Sequence, residues 1–143
     1  MRGDHVPVSL GLDFGTESAR AVLVDRDGQE LGTSEHPFRH GQITQTLPCG
    51  GERLPPHYAL QHPDDWIESA AFATRDAIQQ AGIDNARIVD IGVDFTSCTM
   101  LPTTMDGTPI CRSERFSKTA LAWPKLWKHH GAIEQTDRMN ALA

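Results

Sequence analysis

A chain of 143 residues with 38% hydrophobic and 22% charged residues has enough apolar content for one domain with a real core. Its net charge of −6, with no lysine or arginine cluster to offset it, excludes a nucleic-acid backbone as the expected partner. No apolar run approaches the roughly 20 residues of a membrane span. The short apolar run after Met1-Arg2-Gly3-Asp4-His5 does not read as a signal peptide, so the expected compartment is the cytoplasm, without a membrane.

Val6 to Leu12 predicts a buried strand that runs into Asp13-Phe14-Gly15-Thr16, and Ala19 to Val24 predicts a second. The turn signal Asp25-Arg26-Asp27-Gly28 leads into a third, more polar strand, Gln29 to His36, which completes an antiparallel meander. Pro37 to Gln61 is rich in proline and glycine and has little periodicity. It predicts a long loop, of the kind that is usually functional or mobile. A helix follows, with Pro63 at its first position and Asp64 and Asp65 where the helix dipole favours negative charge. Trp66, Ile67, Ala70, Ala71, Ala73, Ala77, Ile78 and Ala81 form its apolar face, and Gly82 closes it.

Ile88 to Phe95 predicts a strand that lies parallel to the first, because a helix separates them. Thr99 to Pro102 and Thr108 to Cys111 flank Met105-Asp106-Gly107 as a hairpin. Leu121 to His130 and Ala132 to Leu142 predict two short helices broken at Gly131. The fold class is therefore α/β, a mixed sheet built β-β-β-α-β with a hairpin and C-terminal helices after it. Cys49, Cys98 and Cys111 are odd in number and widely spaced, so they are expected as free thiols.

The informative chemistry lies at the first turn. In Asp13 to Arg20, Gly15 permits a sharp turn and leaves room for a ligand. Successive backbone N–H groups, with the hydroxyls of Thr16 and Ser18, offer donors to phosphate oxygens. The carboxylate of Asp13 suits a hydrated Mg²⁺. Arg20 either neutralises phosphate charge or tethers the hairpin, and the whole stretch also reads as an ordinary hairpin turn. Neither G-x-x-x-x-G-K-[ST] nor G-x-G-x-x-G occurs, so a P-loop and a dinucleotide fingerprint are excluded. Leu10-Gly11-Leu12-Asp13-Phe14 is echoed by Ile91-Gly92-Val93-Asp94-Phe95. If the two strands pair, Asp13 and Asp94 share the carboxyl edge where ligands of open α/β sheets sit. Asp94 either positions a substrate hydroxyl or caps the next turn. The spacing of Trp127 from Trp123 favours a core position for it. Lys128, His129 and His130 read as a polar rim or a solvated helix end, the remaining histidines as surface or loop residues, and Glu68 and Asp76 as a solvated helix face.

Gly11 to Arg20 strongly resembles the phosphate motif of the actin-like sugar kinases of the FGGY carbohydrate kinase family. Gln61 to Glu68 resembles the helix start that follows in the ribulose-phosphorylating members. Gly92 to Thr99 resembles their next strand and sugar-side loop, Asp106 to Pro109 the hairpin after it, and Ala122 to His130 the segment that faces the sugar. The likeness runs in order from about Val8 to Ala143. It implies an incomplete actin-like ATPase (ribonuclease-H-like) domain, residues 1–143 being the N-terminal part of the family's first domain. It implies ATP and Mg²⁺ as cofactors, with Asp13, Gly15, Thr16, Glu17, Ser18 and Arg20 on the nucleotide side and Asp13 supporting the metal. Asp94, Thr96, Ser97, Trp127 and Lys128 would face the sugar.

The implied activity is ATP-dependent phosphorylation of a ketopentose, L-ribulose first. A xylulose or glycerol kinase and a non-catalytic nucleotide-binding or interaction module stand as alternatives. The family's catalytic aspartate and most of its adenosine pocket would fall beyond Ala143. These residues alone are therefore expected to be inactive and open to self-association through an unsatisfied sheet edge. Two positions depart from the family: His129 stands where an acidic residue is common, and Thr96-Ser97 where Thr-Gly is common.

Overall fold

A computed structural model of the chain describes residues 6–51 and 53–142. It divides into two compact units, Met1–Gly41 with Asp64–Thr96, and Gln42–Pro63 with Ser97–Ala143.

The first unit is a four-stranded sheet and a helix. β1 (Val8–Phe14), β2 (Ser18–Asp25) and β3 (Glu30–Pro37) form the predicted antiparallel meander, α1 spans Pro63–Ala81, and β4 (Ile88–Phe95) returns to the sheet. The strand order is β3-β2-β1-β4, with β4 parallel to β1. β1 lies later than the expected Val6 to Leu12 and carries Asp13 inside the ladder. The turn between β2 and β3 is closed by Asp25, whose Oδ1 accepts the N–H groups of Asp27 and Gln29 at 2.9 Å each, and by Gly28 at φ +82°.

α1 packs across β1, β2 and β3 through small residues. Ala73 and Ala77 are fully buried against Val8, Leu10, Ala21 and Leu23, while Ala70 meets Ala19 and Phe38. The approach is close because Gly32 on β3 has no side chain: a Cβ there would lie 2.4 Å from the Ala77 carbonyl oxygen. The close seat also narrows the buried stripe, so Ile67 and Ala71, expected on the apolar face, are exposed, Ile67 at 69%. Asp65 does more than face the helix dipole. It is buried, and its carboxylate accepts the backbone N–H of His40 at 2.9 Å and pairs with His40 Nδ1 at 2.7 Å, so His40 is no idle loop residue. Gly82 closes α1 at φ +62°, donating to the Ile78 and Gln79 carbonyls.

The second unit corrects two expectations. The stretch expected as a long mobile or functional loop is a packed part of a core: Ile43, Leu47, Leu54 and Leu60 are buried with Cys111, Ala122 and Trp123. The expected helix over Leu121 to His130 does not form. A single 3₁₀ turn at Ala120–Ala122 ends at Trp123, which is extended at φ −89°, ψ 154°. Pro124 is the cause, because its ring pushes the preceding residue out of the helical region. The extended chain then pairs on both sides. Lys125 and Met100 exchange backbone hydrogen bonds at 2.9 and 3.2 Å, and Leu126 donates to the Ala59 carbonyl at 3.0 Å. The turn at Asp106-Gly107 forms as expected, with the Thr104 N–H donating to the Thr108 carbonyl at 2.9 Å, but only an isolated bridge, Thr103 to Pro109, flanks it. The last predicted helix is α2 (Ile133–Asn140). None of the three cysteines forms a disulfide.

The Gly32 contact sets a stability test. Gly32→Ala should cost about 1–3 kcal/mol, because the new methyl group meets helix backbone rather than a side chain that can move aside. Gly92→Ala, with open space around its Cβ position, should stay within about 0.5 kcal/mol of the parent. Urea denaturation of the two variants measures the difference.

Candidate functional site

The β1–β4 pairing organises the face of the sheet opposite α1. Its register matches the sequence echo residue for residue: Leu10 with Ile91, Gly11 with Gly92, Leu12 with Val93, Asp13 with Asp94 and Phe14 with Phe95. Alternation along a strand then puts both glycines and both aspartates on one face. They line an open groove of about 560 Å³, with Gly11 and Gly92 as a bare floor, Arg20 and Val22 on one side, and Asp13 and Asp94 at the carboxyl end. The ladder continues one step past the strands, where Thr96 donates to the Phe14 carbonyl at 3.1 Å.

The turn Gly15-Thr16-Glu17 joins β1 to β2 at that end. Gly15 donates to the Ser18 carbonyl at 2.9 Å, and the Glu17 carbonyl accepts from the Phe38 N–H at 2.7 Å, which ties the turn to the chain just beyond β3. Gly15 is not required by backbone conformation, since its φ is not positive. A Cβ there would meet chain atoms only at ordinary contact distance, the nearest at 3.4 Å. Neither backbone conformation nor close packing within the turn therefore requires glycine at this position.

Ser18 and Arg20 are both engaged within the sheet, Arg20 in the tether that is one of its two sequence readings. The hydroxyl of Ser18 donates to Glu35 Oε1 at 2.6 Å, so its proton is spent within the sheet rather than offered to a phosphate. Arg20 is a tether: Nη1 donates to Asp13 Oδ2 at 3.0 Å and Nη2 to Glu35 Oε1 at 3.3 Å. Glu35 is a site residue that the sequence alone does not single out. It faces Arg20 across the β2–β3 ladder, and that register is the signal that reveals it. The Ser18 hydroxyl, and then Arg20, hold the Glu35 carboxyl below the usual glutamate range, and the two carboxylates hold the Arg20 guanidinium above its own.

Asp13 and Asp94 fit a hydrated divalent cation. They are two accessible carboxylates in one register row at a strand edge, and such an ion takes one or two carboxylates and keeps several waters. Asp94 Oδ1 also accepts the N–H of Phe95 at 2.8 Å, so it serves the local turn as well.

The remaining candidates belong to the second unit. Ser97 is exposed and precedes Cys98, which takes the left-handed conformation at φ +64°. Trp123 and Trp127 part company because no helix connects them. Trp123 is buried, its Nε1 donating to the Ser117 carbonyl at 2.8 Å, while Trp127 is 49% exposed with Lys128 Nζ 5.1 Å above its ring. His129 holds the local chain together. Its Nδ1 accepts the Ala59 N–H at 3.3 Å, and its ring packs edge-on against Tyr58. Burial, then the charges of Lys125 and His130, hold it below the usual histidine range, so it accepts as a neutral ring.

Glu35 should titrate below the ordinary glutamate value of about 4.3. Its folded value is depressed, so the stability it contributes is present above that ordinary value and lost as pH falls through the lower folded one. Carboxyl ¹³C NMR of the chain checks the position, and Ser18→Ala should move it upward, since the Ser18 hydroxyl is the larger cause.

Comparisons with known proteins identify the family. Residues 8–113 match the N-terminal domain model of the FGGY family of carbohydrate kinases. A protein named ribulokinase from Mycolicibacterium smegmatis is 51% identical over 94% of this chain and 24% of its own length. One of the same name from Geobacillus thermodenitrificans is 43% identical over the same shares. The chain thus spans about a quarter of the length of these relatives. Among solved structures, a gluconate kinase from Lactobacillus acidophilus superposes with a TM-score of 0.69 at 16% identity, over 95% of this chain and 23% of that one. A Brucella ovis structure described as a xyloylose kinase gives 0.68 at 18%, over 94% and 23%; at these identities the likeness is one of fold. By its sheet, its paired aspartates and its sequence, the chain belongs to the FGGY family of carbohydrate kinases.

Proposed function

We propose that these residues supply the phosphate- and cation-facing hairpin of an ATP-dependent kinase that phosphorylates a ketopentose, L-ribulose first. The observation that carries this reading is the register that sets Asp13 beside Asp94 at the end of a glycine-floored groove, next to the open turn at Gly15. The identities of 51% and 43% to proteins named ribulokinase favour ribulose over other sugars.

Asp13 and Asp94 would hold Mg²⁺, which when bound neutralises charge on the transferring phosphate. The turn Gly15-Thr16-Glu17 would face the phosphates with its backbone; the Gly15 N–H itself closes the turn on the Ser18 carbonyl, and the missing side chain of Gly15 would let a phosphate come close. Ser18 and Arg20 support that turn from behind rather than binding phosphate themselves. For the sugar, Asp94 and Thr96 on the first unit offer polar contacts. On the second, Ser97 offers a hydroxyl, Trp127 a half-exposed ring face and Lys128 a cation. The family's catalytic aspartate has no assigned counterpart among these residues, so turnover by the 143-residue chain alone is not expected. No helix of the described residues is long and apolar enough to cross a membrane, in keeping with a cytoplasmic enzyme that draws on cellular ATP.

A chimera tests the reading: residues 1–143 replace the corresponding segment of the M. smegmatis ribulokinase. It should phosphorylate L-ribulose with ATP. Asp13→Ala in the chimera should lower kcat by roughly 10²-fold or more. Gly15→Ala should raise the KM for ATP while changing stability by less than about 0.5 kcal/mol. A chimera that folds but ignores ribulose, or one indifferent to Asp13→Ala, refutes the assignment.

We also propose that the chain by itself pairs with a second copy through β4. That strand is a sheet edge, and Ile91, Val93 and Phe95 stand more than half exposed beyond the cover of α1. Antiparallel pairing about Gly92 would set Ile91 against Val93 of the other copy, but also Asp90 against Asp94, so association should strengthen with salt. Sedimentation velocity across a concentration series should show a dimer that Val93→Lys removes. A monomer at every concentration and salt level refutes it.

A further inference from the structure

The side chains Asp13, Arg20, Glu35 and Ser18 form one connected row across β1, β2 and β3. Asp13 faces Arg20 in the β1–β2 register and Arg20 faces Glu35 in the β2–β3 register. Arg20 spans the two carboxylates, one guanidinium nitrogen to each, at 3.0 Å and 3.3 Å. The Glu35 oxygen that takes Arg20 also takes the Ser18 hydroxyl at 2.6 Å, so Glu35 is fixed from a second direction. Glu35 itself does not line the groove, whereas Asp13 and Arg20 do.

This arrangement creates a competition. Asp13 cannot serve a cation well while a guanidinium holds it as its sole counter-ion, because Arg20 and a divalent cation seek the same carboxylate. Glu35 supplies Arg20 with a second carboxylate, itself fixed by the Ser18 hydroxyl, to which Arg20 could stay paired if Asp13 turned to a cation. The pull of Arg20 on Asp13 is thereby divided, and the Asp13 carboxylate stays within reach of the groove.

We propose that Glu35 is a positioning residue for the cation site: by holding Arg20 away from exclusive pairing with Asp13, it keeps the Asp13 carboxylate available to a divalent cation. The proposal rests on the reading that Asp13 takes that cation. It assigns no contact between Glu35 and the cation, nucleotide or sugar. Its specific content is that the effect of Glu35 passes through Arg20.

The test uses the 143-residue chain and Mn²⁺ alone, read by paramagnetic broadening of backbone amide NMR signals, a readout that needs no turnover. In the parent chain, broadening should centre on Asp13 and Asp94. Glu35→Gln keeps the size of the side chain and its capacity to accept from Ser18, so the fold should be preserved, which the amide spectrum shows directly. It should raise the Mn²⁺ concentration needed for half-maximal broadening by roughly two- to fivefold, the range expected of an exposed ion pair. Glu35→Asp should restore part of the loss. In an Arg20→Gln background, Glu35→Gln should shift the midpoint by less than about 1.5-fold, because the residue through which it acts is gone.

The outcomes separate the two claims. No broadening at Asp13 in either the parent or Arg20→Gln chain removes the cation reading and this proposal with it. Broadening at Asp13 that Glu35→Gln leaves unchanged overturns the role of Glu35 alone. An equal weakening with and without Arg20 shows a plain field effect of one lost charge, and likewise overturns positioning through Arg20.

Discussion

The parallel register between β1 and β4 is the constraint on which the first unit depends. Two short segments far apart in sequence carry the same pattern, glycine, apolar, aspartate, phenylalanine, and the sheet lays one on the other without an offset. A slip of one residue would turn Asp94 to the opposite face and bring Val93 into the groove, because side chains alternate with a period of two. The groove floor obeys the same register. Gly11 and Gly92 coincide, so the sheet presents backbone where a bulky pair would fill the space.

α1 holds that register indirectly. It crosses the opposite face on alanines and on Gly32, where a side chain would meet helix backbone, and so packs on the three-stranded meander to which β4 adds. Its contacts thin out before β4, so that strand depends on backbone hydrogen bonding to β1 more than on side-chain cover. The strand that brings Asp94 to the site is thus the least covered of the four. Site geometry and local stability are set by different elements, the former by an edge strand and the latter by the helix and meander.

Much of the first unit was legible in the sequence because its signals are local. β4 has the bounds its Val/Ile pattern predicts, the Asp25 to Gly28 turn closes as its residues require, and α1 begins at Pro63 and ends before Gly82. The parallel pairing followed from the intervening helix. What failed depended on one overriding residue or on distant partners. Periodicity over Leu121 to His130 gave way to Pro124, a single residue that forbids the helical state of its neighbour. The stretch after Pro37 had no period to read, because Ile43, Leu47, Leu54 and Leu60 pack on residues more than fifty positions later, such as Cys111 and Trp123. Trp127 could be separated from Trp123 only once the helix between them was gone. Glu35 was hidden for a further reason: a glutamate on a polar strand looks solvated until its cross-strand neighbour is known to be Arg20.

The charges at the groove decide what kind of ligand it can accept. Asp13, Asp94 and Glu30 line it and Glu35 stands beside it, four carboxylates against one guanidinium, and Arg20 is already matched by two of them. In a chain of net charge −6, no cation in this row is left over for a polyphosphate. A bare polyanion approaching the strand edge would meet like charge, offset only by the neutral backbone donors of the Gly15 turn. The same polyanion carrying a divalent cation meets two accessible carboxylates that complement it. On the proposed reading, a divalent cation held by Asp13 and Asp94 would bridge carboxylate and phosphate, and it would have to compete with Arg20 for the Asp13 carboxylate.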